Sequence, residues 1–329
     1  MTRRPGAAAP PLVTVLGASG FVGSAVTAAF ADRPVRLRAV ARRPSTVPAG
    51  SAQVESVTAD LTNHQDLAEA VDGSDAVLCL VMHSGGWRAA VDDGPEAVNV
   101  GVMRELVQVL RSAERPPLVL YSGAASQVGV PPAEPIDGSE PDHPATEYDR
   151  QKLAAESLLL DATAAGLLQG VSLRLPTVFG PATAPGAEDR GVVSFMARRA
   201  LAGEPLTLWH DGTVRRDLVH VHDIARAFLA AYDHPGRLVG GHWLLGSGQG
   251  TPLGEVFRTL ARLAAEHTGR PPVPVCSVEP PAHAPLTDFA GVTIDSSAFR
   301  AATGWAPEVP LEEALRHTVA ALADRAARS

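Results

Sequence analysis

The sequence predicts an α/β protein built on a doubly wound parallel sheet. Short apolar runs alternate with helix-period segments at intervals of roughly 20 to 30 residues, the signature of βαβ units. The first apolar run ends in a glycine-rich turn that opens a helix. Hydrophobic residues make up 45% of 329, enough for a large core in one big α/β unit or two closely associated ones.

The elements follow in order. "LVTVLG", residues 12–17, is a short apolar run that reads as a buried parallel strand. A helix-like segment spans 21–32. Strands are expected at 35–40 ("VRLRAV"), 54–57 ("VESV"), 76–82 ("AVLCLVM") and 118–121 ("LVLY"), with a helix over 95–112 before the last of these. "TEYDRQKLAAESLLLDATAAG" carries leucines and alanines at helical spacing and stops at Gly166. "VSLRL", residues 171–175, is the next strand. Beyond Pro176 the alternation weakens. A Gly/Pro-rich loop precedes a helix in "VVSFMARRALAGEPL", then "LVHVHDIARAFLAAYD" reads as strand plus helix, and helices with Pro-rich connectors follow from residue 251. The stretch 131–144, "PPAEPIDGSEPDHP", is the most loop-like and is expected at a pocket rim or lid.

Composition narrows the function. Net charge is −8 and no basic stripe interleaves with aromatics, so nucleic acid is not expected as a partner. Residues 1–11 hold two arginines without an apolar run and read as a flexible tail. No stretch of about 18 apolar residues suggests a membrane span. Cys79 and Cys276 are expected to be reduced and buried, which fits a cytoplasmic protein. No CxxC or HExxH cluster points to a metal, and His220 with His222 is too small a set to hold one.

"GASGFVG", residues 17–23, joins the first strand to the first helix as G-x-x-G-x-x-G. Glycines there let the backbone turn tightly and approach a pyrophosphate, which sits on the helix N-terminus. This makes the unit a Rossmann dinucleotide site, with Gly17, Ser19, Gly20, Phe21, Val22 and Gly23 as its cradle. The second strand decides between dinucleotides. An NAD site usually ends that strand with an acid for the ribose 2′-hydroxyl. Here Arg42 and Arg43 follow instead, and two guanidiniums suit a 2′-phosphate, so NADPH is the expected cofactor.

Tyr148 and Lys152 lie four residues apart, one helical turn. A free phenol titrates near pH 10. A neighbouring ammonium is expected to lower that value, letting Tyr148 pass a proton to a carbonyl oxygen while Lys152 also holds the cofactor ribose.

With these motifs the chain resembles the extended short-chain dehydrogenase/reductase superfamily, in its nucleotide-sugar epimerase/dehydratase/reductase branch. The resemblance runs over nearly the whole chain: "GASGFVG", "ADL" at 59–61, "LVMH" at 80–83, "VNV" at 98–100, "LRLPTVFGP" at 173–181 and "VRRDLVHVHDIARA" at 214–227. It implies that Asp60 contacts the adenine beside Leu61, that Leu80 and His83 line the cofactor, that Pro176 flanks the nicotinamide, that Asn99 and Asp223 are structural, and that Arg216 contacts a sugar-nucleotide diphosphate. It implies a Rossmann domain of residues 12–176 plus 213–250, a smaller nucleotide-sugar-binding domain of 177–212 plus 251–329, and a homodimer formed through the Tyr148 helix and the one before it.

The wording is most similar to NDP-4-keto-6-deoxyhexose 4-ketoreductases of antibiotic deoxysugar pathways. This implies pro-S hydride delivery from NADPH to C4 of a dTDP-linked keto-deoxysugar. One position departs from the pattern. The family's Ser or Thr that bonds the substrate carbonyl falls on Ala124; Ser126, or Ser122, is expected to replace it, with Ser126 favoured because two residues along an extended loop share a side. Dehydratases of the family place Asp-Glu after that residue, whereas "AASQ" carries no ionisable side chain, which favours simple reduction. An epimerase and a non-catalytic NADP(H)-binding sensor are the alternatives. His83 and Trp87 line the pocket or pack structurally, and Trp209 and His210 touch the nucleotide or do not.

Overall fold

The structure is a computed structural model and describes residues 9–83, 93–209, 211–281 and 284–328. The expected sheet is there, with seven strands among the described residues. In chain order they are β1 (Leu12–Leu16), β2 (Arg36–Ala41), β3 (Gln53–Thr58), β4 (Ala76–Cys79), β5 (Leu118–Ala124), β6 (Gln169–Leu175) and, after the elements below, β10 (His242–Leu244). Their spatial order is β10-β6-β5-β4-β1-β2-β3, and every neighbouring pair is parallel. The order reverses between β1 and β4, which opens a crevice at their C-terminal ends, where open α/β sheets bind ligands. Strands β1, β4 and β5 are buried along their whole length, as a sheet covered on both faces requires.

Helices cover the two faces. On one face lie α1 (Phe21–Ala31) and α7 (Val221–Asp233), joined to the sheet by a core of Val13, Val15, Val26, Phe30, Leu37, Phe228 and Phe299. On the other lie α2 (His64–Val71), α4 (Val102–Leu110) and α5 (Glu147–Ala164), packed through Leu67, Met103, Leu106, Tyr121 and Leu159. The helix expected over 95–112 is not uniform. It runs as a short turn, α3 (Asp93–Glu96), then a π-helical segment at Ala97–Gly101, then α4. Asn99 sits in the widened turn, where its Oδ1 accepts the His83 N–H at 3.0 Å and its Nδ2 donates to Gln151 of α5 at 2.8 Å. Bulges of this kind cluster at functional sites.

The smaller part has its own core. Helices α6 (Val192–Ala202), α9 (Leu253–Thr268) and α11 (Leu311–Arg328) pack around Val193, Phe257, Leu260 and Leu315. Strands β7 (Thr177–Phe179), β9 (Arg215–His220) and β11 (Gly250–Pro252) form a second sheet, and β8 (Leu206–Leu208) pairs with β12 (Val275–Ser277) in a third. Asp223 of α7 accepts the backbone N–H groups of Glu308 and Val309, a joining role between segments far apart in sequence.

Four sequence expectations need correction. Strand β4 stops at Cys79, not residue 82, after which the Leu80 N–H takes the Leu16 carbonyl as the chain leaves the sheet. Strand β5 runs on to Ala124, because its ladder with β6 continues from Leu118↔Gln169 through Ala124↔Leu175. Cys79 is buried, with its thiol pushed up to about 11 by desolvation, but Cys276 is exposed on β12, which pairs with β8 in a two-stranded sheet among the described residues. The 131–144 stretch does not line the cleft. Ile136 is buried with Ala125, Val128, Leu244 and Ile294, and Glu134 accepts the Thr293 hydroxyl, so this loop ties the two parts together.

The same loop is anchored by charge. Arg174 of β6 is buried and makes a two-pronged contact with Asp142, 2.7 Å on each oxygen, while also bonding Glu156 of α5. Ser172 donates to the same glutamate at 2.5 Å. Removing one partner of a buried, fully bonded ion set costs about 3–5 kcal/mol. Glu156→Ala is therefore expected to lower the unfolding free energy by roughly that amount in urea denaturation. Asp142→Asn should cost less, since the Asp142 side chain is 20% exposed.

Candidate active site

The site is an open cleft of about 1650 Å³. That exceeds the roughly 300–1,000 Å³ of a typical single-ligand pocket and leaves room for two ligands end to end. It is lined by the C-terminal ends of the parallel strands on one side and by α6, β8 and the 285–294 segment on the other.

The β1–α1 turn forms one end. Gly17 has φ +87°, a conformation side chains avoid, and its N–H bonds the Val40 carbonyl of β2. A Cβ on Gly23 would stand 2.0 Å from the Gly17 carbonyl oxygen. The turn therefore closes tightly only with glycine at both places. Helix α1 begins at Gly20 with no side-chain cap and no acid in its first turn, leaving its N-terminal N–H groups and positive dipole end for an anion. Ser19, Phe21 and Val22 also line the cleft here. The cradle thus fits a dinucleotide pyrophosphate.

Arg42 and Arg43 follow the end of β2, exposed and on the cleft wall. Asp60 lies across from them, held below the usual carboxylate range by the Thr62 hydroxyl and N–H, with the Arg42 charge adding to the effect. Leu61, Leu80, His83 and Pro176 also line the cleft. Every predicted cofactor residue is thereby brought to one surface.

The far end holds the Tyr148/Lys152 pair. Helix α5 starts at the Thr146 cap, whose side chain accepts the Asp149 N–H, and presents Tyr148 and Lys152 to the cleft. Lys152 is buried and donates to the Ser122 carbonyl at 2.7 Å. Its amine lies 4.9 Å from the Tyr121 ring centre and 5.9 Å from that of Tyr148. Burial lowers the Lys152 pKa to about 8. The expected lowering of the Tyr148 pKa is not found. Burial, and secondarily the Asp149 charge, push the phenol above its ordinary value, while the ammonium is turned toward Ser122.

The substitute for the missing hydroxyl at Ala124 also differs from expectation. Residues Ala125–Val128 form a 3-10 turn, not an extended loop, with Gln127 accepting the Ala124 N–H. Ser126 still reaches the cleft wall, but its hydroxyl donates to Asp149 at 2.5 Å. Ser122, also on the wall, is buried and donates to the Cys79 carbonyl at 3.3 Å. The site therefore does hold an ionisable group beyond the Tyr/Lys pair. Asp149 was legible only as a polar residue in the first turn of a helix, a position that helix capping alone explains.

On the opposite wall, Trp209 is half-buried. Arg216 lines the cleft, but its guanidinium donates to the carbonyls of Thr287, Asp288 and Ala290, fixing that segment over the cleft. Asp217 beside it accepts the N–H groups of Ser247, Gly248 and Ile294. His220 caps α7 by accepting the His222 N–H. Trp87 and His210 lie outside the described residues.

Comparison with known proteins agrees with this arrangement. Residues 13–246 match the model of the NAD dependent epimerase/dehydratase family. A dTDP-6-deoxy-L-talose 4-dehydrogenase (NAD(P)(+)) of Kitasatospora kifunensis is 30% identical over 94% of both chains. A UDP-glucose 4-epimerase of Mycolicibacterium smegmatis is 31% identical over 70% of this chain and 71% of its own. Among solved structures, a UDP-glucose 4-epimerase of Thermotoga maritima superposes with a TM-score of 0.79 at 23% identity, covering 97% of this chain and 100% of the other.

A Gly23→Ala variant is expected to lose binding of the reduced nicotinamide dinucleotide, read by quenching and energy transfer to the nicotinamide, because the added methyl collides with the Gly17 carbonyl at the cradle. Its far-ultraviolet spectrum should stay native. Glycine cradle, Tyr/Lys pair, sheet order and family match converge, and the chain belongs to the NAD dependent epimerase/dehydratase family.

Proposed function

We propose that the chain is an NADPH-dependent ketoreductase that reduces the C4 ketone of a dTDP-4-keto-6-deoxyhexose to a hydroxyl, in antibiotic deoxysugar biosynthesis. The observation that carries this is the match, over 94% of both chains, to a relative named for 4-dehydrogenation of a dTDP-6-deoxysugar. Ketone reduction is the reverse of that type of reaction.

The residues present fit a nicotinamide dinucleotide. Gly17, Gly20 and Gly23 would take its pyrophosphate, Asp60 and Leu61 its adenine, Arg42 and Arg43 its 2′-phosphate, and Lys152 its ribose. When bound, NADPH supplies a hydride for the carbonyl carbon. Tyr148 supplies the proton for the oxygen. Burial keeps its phenol protonated before reaction, which a reduction requires of its acid. The Lys152 charge, one turn along the helix, offsets the phenolate left behind. Ser126 faces the substrate oxygen. The half-buried Trp209 walls the sugar-nucleotide side, and Arg216, which also holds the Thr287 and Ala290 carbonyls, meets the diphosphate.

Domain division belongs to the same reading. Residues 12–176 plus 213–250 hold the cofactor, and 177–212 plus 251–329 hold the sugar nucleotide. So does homodimer assembly through α4 and α5, where Leu153, Leu158 and Leu160 are only partly covered.

An epimerase is the second reading, supported by the similarity to UDP-glucose 4-epimerases. It requires an oxidised cofactor held through the cycle. The absence of an acid after β2, where Arg42 and Arg43 stand, weighs against an NAD site of that kind.

Tyr148→Phe should lower kcat for reduction by about 10²–10⁴-fold and leave NADPH affinity unchanged. Equal loss of both would contradict the acid role. Replacing Arg42 and Arg43 together by Ala removes charge-assisted bonds of about 1.5–3 kcal/mol each. NADPH should then bind roughly a hundredfold or more weakly, with NADH binding unaffected, in parallel fluorescence titrations.

A further inference from the structure

Ser126 and Asp149 form a closed hydrogen-bonded pair on the cleft wall. The Ser126 hydroxyl donates to Asp149 Oδ1 at 2.5 Å, and the Thr146 hydroxyl donates to Oδ2 at 2.6 Å. Asp149 is 2% exposed, so both of its oxygens are committed to hydroxyls. Ser126 itself is exposed and lines the cleft together with Tyr148. The strand end that precedes it carries Ala124, with no hydroxyl to offer.

A serine hydroxyl has one proton and two lone pairs. With that proton directed at the Asp149 carboxylate, Ser126 offers the cleft lone pairs only. In that state it accepts from a substrate hydroxyl and has nothing to donate to a ketone. When Asp149 takes up a proton from solvent, the carboxyl donates to Ser126 Oγ instead. The Ser126 hydroxyl is then free to donate into the cleft. No bond to carbon changes in this exchange; one proton moves between solvent and the carboxyl, and the hydroxyl turns.

We propose that Asp149 sets the hydrogen-bond sense of Ser126, making the pair a donor to a carbonyl oxygen when Asp149 is protonated and an acceptor from the matching hydroxyl when it is ionised. This deepens the ketoreductase reading and rests on it. Ser126 is the group that touches substrate; Asp149 acts through it as a positioning residue. The surroundings suit a group that changes state. Burial raises the Asp149 pKa, and the bonds from Ser126 and Thr146 and the charge of Arg150 only partly oppose this. On its own helix Asp149 is flanked by Tyr148 and Arg150, with Lys152 one turn on and bonded to the Ser122 carbonyl. The 3-10 turn packed against it, "ASQV", has no ionisable side chain, and the titratable group of β5, Tyr121, points its hydroxyl at the Lys152 carbonyl. Glu147 is paired with Arg150.

The sign follows. The ketone binds best below the Asp149 pKa and the alcohol best above it. The test is the pH dependence of KM and kcat for dTDP-4-keto-6-deoxyglucose with NADPH, in the wild type, Asp149→Asn and Ser126→Ala. The wild-type KM for the ketone is expected to rise about tenfold as pH increases through this ionisation, the value of one hydrogen bond. In Asp149→Asn the amide donates to Ser126 at every pH, so KM stays low and the rise disappears. In Ser126→Ala KM is high throughout and also flat. A wild-type rise that persists unchanged in either variant overturns the proposal.

A second readout does not need turnover. In protein labelled with ¹³C at aspartate carboxyls, Ser126→Ala should raise the Asp149 pKa, because the carboxylate loses a donor. An unmoved titration overturns the pairing. If the wild type reduces no 4-keto sugar, the ketoreductase reading fails, and the pair is still decided by this titration.

Discussion

The site depends on how helix α5 is held against the sheet, and one buried charge fixes its register over the apolar core. Arg174, at the C-terminal end of β6, binds Glu156 on α5 and Asp142 in the preceding loop. Buried charges are costly alone, and this set survives because Ser172 completes it. The arrangement is economical in sequence. Tyr148, Lys152 and Glu156 recur every four residues, so they share one stripe of α5. Pinning Glu156 to the sheet sets the rotation and register of that stripe. Lys152 then falls on the Ser122 carbonyl and Tyr148 comes out at the cleft.

The other half of the site is set by backbone close approach. The turn after β1 touches β4 so tightly that a Cβ on Gly17 would lie 2.9 Å from the Leu80 carbonyl oxygen. This packs the glycine cradle against the point where strand order reverses. The cradle and the α5 stripe therefore sit at the same edge of one sheet, separated by β4 and β5. A dinucleotide laid across that edge reaches from the Arg42/Arg43 pair to Tyr148. Asn99 steadies the span between them, since it links His83 after β4 to Gln151 on α5.

Much of this was legible in the sequence because it rests on local rules. Glycine spacing, buried strand runs and the Tyr/Lys interval each depend on nearest neighbours in the chain, and the predicted cofactor residues, with Ser126, Trp209 and Arg216, line one cleft. What the sequence hid depends on distant partners. Ser126 was expected to face the cleft for the wrong geometric reason, and its hydroxyl turned out to belong to Asp149, 23 residues away. The 131–144 loop looked like a lid because it is polar and proline-rich; Ile136 and Asp142 make it a strap. Tyr148 was expected to be acidified by its neighbour, whereas depth of burial and the direction of the Lys152 amine decide otherwise. Arg216 reads as a phosphate ligand in sequence, yet its immediate partners are main-chain carbonyls.

Net hydride transfer to C4 separates reduction from epimerisation, and isotope transfer reads it. NADPH carrying deuterium at the transferable C4 position of the nicotinamide would be mixed with dTDP-4-keto-6-deoxyglucose. Cofactor oxidation would be followed by absorbance and the sugar by NMR. The account predicts stoichiometric loss of NADPH, one deuterium at sugar C4 and little turnover with NADH. A sugar epimerised with no net cofactor consumption and no label at C4 would contradict it.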